Sequence, residues 1–171
     1  FKAIHDGTDV PILIYSVPGR VVVKPNVDTL ARLAELPRIL GIKDATGELD
    51  LPEQIRAACG DSFIQLSGED ATVIPYLAAG GHGCISVTAN VAPKLCSELH
   101  SAWANGDFEE ADRINRLLMP LHGAMFSDTS PAPVKYAAAK LGLCNEEMRL
   151  PIIPANESAK SLVDVALAHA G

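Results

Sequence analysis

Four short apolar runs, recurring at intervals of roughly 20 to 25 residues with helix-patterned stretches between them, constrain this chain more than any other feature. They cover Val10 to Tyr15, Ile39 to Ile42, Phe63 to Leu66 and Cys84 to Val87. Runs of four to six apolar residues are the length of buried strands. Parallel strands covered on both faces read as nearly continuous apolar segments. The stretches between them carry helical patterning. Asn26 introduces Val27, Leu30, Ala31, Leu33 and Ala34, and Pro37 stops that face. Asp50 with Glu53 reads as an N-cap and its partner ahead of Leu51, Ile55, Ala58 and Cys59, closed by Gly60, while Asp70 reads as the cap for Val73, Ile74 and Leu77. Ser67 to Asp70 and the Pro18-Gly19 turn read as loops.

Beyond Val87 the pattern is helical throughout. Leu95, Leu99 and Trp103 mark one helix, and Asp107 with Glu110 caps a second in which Pro120 is expected to make a kink. Pro131 to Leu141 and Ser158 to Ala170 read as two more, the last turning Leu162, Val163, Ala166 and Leu167 inward. The expected division is residues 1–92, four parallel βα units, and residues 93–171, a helical C-terminal region.

The opening Phe1 to Gly7 reads as the tail of a helix, as though the chain began in mid-element. With 171 residues and 48% apolar composition there is material for one sizeable core. A net charge of -7 without any cluster of Lys or Arg argues against nucleic acid as a partner. No apolar run has the length of a membrane span, and no signal peptide opens the chain. The four cysteines, Cys59, Cys84, Cys96 and Cys144, form no CxxC and read as reduced core thiols, which makes a cytoplasmic location the expectation.

The chemistry centres on GIKDAT, residues 41–46, where Lys43 ends the second apolar run. The carboxyl ends of parallel strands carry the sites of α/β folds. An ammonium drawn out of water is disfavoured, so a lysine there can supply a free amine to attack a carbonyl. A strand-end lysine that snorkels to solvent is the plain alternative. Tyr15 ends the first run as Lys43 ends the second, so phenol and amine belong to one sheet edge, in reach of proton transfer or simply at the rim of a core. Arg20, past the Pro18-Gly19 turn, brings a guanidinium able to grip a carboxylate, unless it is a solvated loop residue. Gly68, Gly80, Gly81 and Gly83 let backbone approach a ligand or only turn the chain. His82 reads as a loop residue with a structural hydrogen bond. No metal-ligand spacing, nucleophile elbow or phosphate loop is present.

The segments IYSVPGR (14–20), GIKDAT (41–46), LSGEDA (66–71), GGHGCISVTANVAP (80–93), RINRLLMPLH (113–122) and PAPVKYA (131–137) together resemble the dihydrodipicolinate synthase family of class I, pyruvate-dependent aldolases and lyases. The resemblance runs from Phe1 to the last helix. It implies an α/β fold, the second half of a (β/α)8 TIM barrel with added C-terminal helices, and a homotetramer. The implied activity joins pyruvate to aspartate semialdehyde in the diaminopimelate route to lysine. Lys43 matches the family's Schiff-base lysine, Tyr15 its proton-relay tyrosine and Arg20 the arginine on the aldehyde's carboxylate. Gly68 matches a pocket glycine, and Ile85 the residue whose carbonyl lies by the lysine. No cofactor is implied beyond the covalent imine. Ser16 and Gly19 depart from the usual loop.

The implied barrel has eight strands and this chain supplies four. The family's Gly-Thr-Thr-Gly-Glu threonine, its cross-subunit tyrosine and its lysine-feedback site have no counterpart here. The expectation is therefore a C-terminal fragment, inactive alone, whose partner is the missing N-terminal half. N-acetylneuraminate lyase is the sibling alternative, and a non-catalytic open α/β binding domain the alternative from another class.

Overall fold

The computed structural model describes residues 1–171 and divides them into two compact units, Phe1–Ile85 and Ser86–Gly171. The first is built on four parallel strands, β1 (Ile12–Ser16), β2 (Ile39–Asp44), β3 (Ile64–Ser67) and β4 (Gly83–Cys84), in the order β1-β2-β3-β4. Each apolar run of the sequence yields its strand. The fourth is cut to two residues, with Ile85 to Val87 outside the ladder, and the last ladder-like bond runs from the Ile85 N–H to the Ser67 carbonyl at 2.8 Å.

One sheet face is packed and the other is open. Ile14 and Ile42 meet Leu30 of α3 (Val27–Ala34) and Leu51 and Ile55 of α4 (Leu51–Cys59), with Phe63 closing the cluster. Burial of each such side chain is worth about 1.5 to 3 kcal/mol. Ile39 joins this core although it is three residues from Ile42, an odd spacing for one strand face. The register explains it: Ile12 pairs with Ile39, but Leu13 pairs with Gly41, so Leu40 is an extra residue that shifts the parity. Gly41 then has to be glycine, because a Cβ there would collide with the Ile64 carbonyl. The opposite face carries Leu13 and Tyr15, 41% and 49% exposed, beside Lys43 and Leu66.

Local signals explain most element ends. Asn26 caps α3 through its Oδ1, which accepts from the Thr29 N–H at 2.8 Å. Asp50 does not cap α4. Its carboxylate takes the Gln54 side-chain amide at 2.8 Å instead, Glu53 is exposed, and Ala58 faces solvent rather than the core. The Pro18-Gly19 turn is a short helix, α2 (Pro18–Val21), since proline at the first helical position is already set to helical φ. Asp70 lies inside a 3-10 turn, and α5 (Val73–Ala78) starts after Thr72. Gly7 ends α1 (Lys2–Asp6) by donating to the Ala3 and Ile4 carbonyls.

The second unit is helical, with α6 (Pro93–Ala104), α7 (Phe108–Ala124), α8 (Ala132–Lys140) and α9 (Glu157–Ala170). Asp107 caps α7 by accepting from the Glu110 N–H at 3.1 Å, and the helix continues through Pro120. Leu121, Met125, Ala137, Val163 and Ala166 form its core together with Val91. Leu167 packs at the margin, whereas Leu162 is exposed, against the expectation that all four α9 residues point inward. Thr88 and His122, both buried, are hydrogen-bonded at 2.7 Å. No cysteine forms a disulfide; Cys59 packs half-buried against the first unit's core, Cys84 and Cys96 are half-buried, and Cys144 is exposed, against the expectation of a core thiol. No helix is long and apolar enough to cross a membrane, and no group of three His, Cys, Asp or Glu could hold a metal ion.

Candidate active site

The ladder assembles the site row by row. Tyr15 and Lys43 are register partners in β1 and β2, and Lys43 is in turn paired with Leu66 and Leu66 with Gly83. Parallel partners point to the same side, so this row lies across the open face near the carboxyl ends of the strands. The Lys43 Nζ stands 4.2 Å from the centroid of the Tyr15 ring. An ammonium at that distance over a phenol face is attracted by the ring quadrupole. The amine and the phenol ring are thus held together by ladder geometry and by direct contact of the Nζ with the ring face.

Gly68 follows β3 and packs against the lysine. A Cβ at this position would lie 3.0 Å from the Lys43 Cε and 2.8 Å from the Ala45 Cβ, so only hydrogen fits between them. Ile85 follows β4, 43% exposed, with its N–H tied to Ser67. Arg20 is exposed on α2, beyond the carboxyl end of β1, its backbone N–H donating to the Val17 carbonyl at 2.9 Å. Tyr15, Lys43 and Gly68 are therefore brought into one constellation, and Ile85 and Arg20 follow strands at the same end of the sheet.

His82 has the structural part expected of it. It lies outside the lysine row, its N–H donating to the Gln65 carbonyl at 2.8 Å and its Nδ1 accepting from the Gln65 N–H at 3.1 Å. Gln65 is fully buried and donates its side-chain amide to the Pro52 carbonyl at 3.0 Å.

Sequence reasoning passed over the row behind the lysine. Ser16, Asp44 and Ser67 are in register with Cys84, and the first three are buried. Asp44 is 2% exposed, its Oδ1 accepting from the Thr46 N–H at 2.9 Å. Burial pushes its carboxyl above the usual carboxylate range, opposed by the Thr46 bond. Tyr76 is buried close by, its hydroxyl without a hydrogen-bond partner. Its phenol is raised well above the ordinary range by burial first and then by the Asp44 charge. Strand alternation was the available signal: if Lys43 points to one side, Asp44 points to the other, with Ile42 two positions earlier on Asp44's side.

Comparison with known proteins gives a consistent result. The model of the dihydrodipicolinate synthetase family matches residues 1–170. A 4-hydroxy-tetrahydrodipicolinate synthase of Rhodospirillum centenum is 57% identical over 171 residues, covering all of this chain and 59% of that protein. One from Bradyrhizobium diazoefficiens is 52% identical, again over all of this chain and 58% of its own length. Among solved structures, the enzyme of that name from Methylacidiphilum fumariolicum SolV superposes with a TM-score of 0.96 at 37% identity, covering 99% of this chain and 57% of its own. A chloride-inhibited dihydrodipicolinate synthase from Acinetobacter baumannii, solved with pyruvate, gives 0.93 at 38% identity, covering 99% of this chain and 58% of its own. The chain thus spans a little under three fifths of the length of these relatives.

Proposed function

This chain belongs to the dihydrodipicolinate synthetase family, and we propose that it is the part of a 4-hydroxy-tetrahydrodipicolinate synthase that carries the imine-forming lysine. Lys43 is that lysine. Its amine adds to the keto carbon of pyruvate, and loss of water leaves an imine. Loss of a methyl proton then converts the imine to an enamine, whose carbon attacks the aldehyde of aspartate semialdehyde. Tyr15 moves protons in the addition and dehydration steps, and Arg20 holds the aldehyde substrate's carboxylate. Gly68 leaves room for the lysine arm, and the Ile85 carbonyl lines the pocket. The observation that carries the reading is the contact between the Lys43 Nζ and the Tyr15 ring at register-paired positions near the strand ends. A binding module has no use for that pair.

The reading extends to the rest of the barrel. β1 and β4 each have one neighbour in the sheet, and the Leu13 and Tyr15 face is open. In a closed barrel that face is the packed interior, and its edges are paired. We assign the remaining strands to the portion of the relatives' length that this chain does not span, and we hold this chain inactive without it. Placement in lysine biosynthesis by way of diaminopimelate, a tetrameric assembly and a cytoplasmic location come with the family and belong to the same proposal.

The test is a condensation assay on the complete protein. Pyruvate and aspartate semialdehyde should disappear one for one, and Arg20→Ala should raise the KM for aspartate semialdehyde far more than that for pyruvate. Turnover of pyruvate with a different aldehyde only, or equal effects of Arg20→Ala on both substrates, would overturn the assignment.

A further inference from the structure

Asp44 directly follows the lysine, points to the opposite face of the sheet, and is buried where an apolar residue would be the cheaper occupant. Its bonds are local and directed. The Oδ1 accepts from the Thr46 N–H at 2.9 Å, which closes an Asx-type turn over Ala45. The backbone around it is tied to both neighbouring strands: the Ala45 N–H donates to the Ser16 carbonyl at 2.9 Å, and the Gly68 N–H to the Asp44 carbonyl at 2.6 Å. Ala45, at the centre of that turn, meets Gly68 on the side where Gly68 meets the Lys43 Cε. Whatever fixes residues 44–46 therefore fixes one wall of the space in which the lysine arm lies.

We propose that Asp44 is a positioning residue for Lys43, holding the Thr46 N–H so that the Ala45 turn and Gly68 keep the lysine arm beside Tyr15. The inference rests on the reading of Lys43 as the imine-forming amine. It concerns an acceptor oxygen at a fixed place, so an amide at position 44 can serve and a methyl group cannot. A displaced lysine arm slows attack on the keto carbon without altering the grip on the second substrate.

The experiment compares the complete wild-type protein with Asp44→Asn and Asp44→Ala. It reads the rate at which borohydride traps pyruvate on Lys43, the kcat and KM of condensation, and the thermal melting of each variant. Asp44→Ala should slow trapping and lower kcat by roughly ten- to a hundredfold, the scale of a misplaced reacting group, while the KM for aspartate semialdehyde stays within about twofold. Asp44→Asn should trap within roughly threefold of wild type, because it keeps the Oδ1 acceptor. If Asp44→Ala traps as fast as wild type, Asp44 does not position the lysine. If Asp44→Asn fails to fold, or folds and traps as slowly as Asp44→Ala, the acceptor bond is not the device and the proposal falls. Wild type that traps no pyruvate on Lys43 removes the underlying imine reading instead, which separates the two failures.

Discussion

Lys43 and Tyr15 are register partners on adjacent parallel strands, and the lysine Nζ stands 4.2 Å from the centroid of the tyrosine ring. The ring and the hydroxyl have separable consequences. Tyr15→Phe keeps the ring face beneath the Lys43 Nζ and removes the hydroxyl proposed to move protons. The variant should still trap pyruvate on Lys43, with kcat reduced by about 10² to 10⁴. Steady-state rates beside borohydride labelling check this, and an unchanged kcat would remove the tyrosine from proton transfer.

Gly68 is the tightest point of the constellation. Gly68→Ala places a methyl group 3.0 Å from the Lys43 Cε and 2.8 Å from the Ala45 Cβ, and the softer of the two neighbours is the lysine arm. Imine trapping should slow markedly, with a stability cost of about 1 to 3 kcal/mol from overpacking, read by urea denaturation. Wild-type trapping in this variant would mean the lysine arm has slack that its packing does not suggest.

The pH dependence of stability follows from Asp44. Its carboxyl is raised above the ordinary value of 3.8, mainly by burial, with the Thr46 bond and Lys24 opposing and Glu48 adding to the rise. The Asp44 charge in turn raises the buried Tyr76 phenol, after burial itself. A raised acid binds its proton more tightly in the folded state. The stabilisation this gives is complete below the unfolded value and is lost as pH climbs through the folded one. Asp44→Asn is neutral throughout. Its melting temperature should therefore gain on wild type as pH rises from about 4 and level off above the folded value. A difference that is flat with pH, or that shrinks as pH rises, contradicts the assignment.

Packing on the helix side is tested at Ile55, fully buried among Leu30, Leu51 and Ile42. Ile55→Ala should cost about 2 to 5 kcal/mol, whereas Val165→Ala at an exposed position of α9 should change stability by less than about 0.5 kcal/mol. Denaturant titration distinguishes them.

The four strands and most helices were legible in the residues because buried parallel strands leave unbroken apolar runs and helices leave a periodic face. Lys43 and Tyr15 stood out for a related reason, each a polar residue ending an apolar run. What could not be read depends on three-dimensional neighbours. The bulge at Leu40 is set by how β2 meets β1, and no local residue announces it. Asp50 resembled a cap until Gln54 offered its carboxylate a closer partner. Leu162 fits an apolar helical face, yet α9 turns Val163 and Ala166 to its core and leaves Leu162 outside. Asp44 drew no reading of its own beside Lys43; alternation places it on Ile42's side of the strand, and the ladder shows it buried between Ser16 and Ser67.

The most direct test of the account is peptide mass spectrometry of the complete protein after reduction with borohydride in the presence of pyruvate. A mass increase confined to the peptide bearing Lys43, and abolished in Lys43→Ala, is the expected result. Labelling spread over Lys24, Lys94 or Lys135, or an unlabelled Lys43, would contradict it.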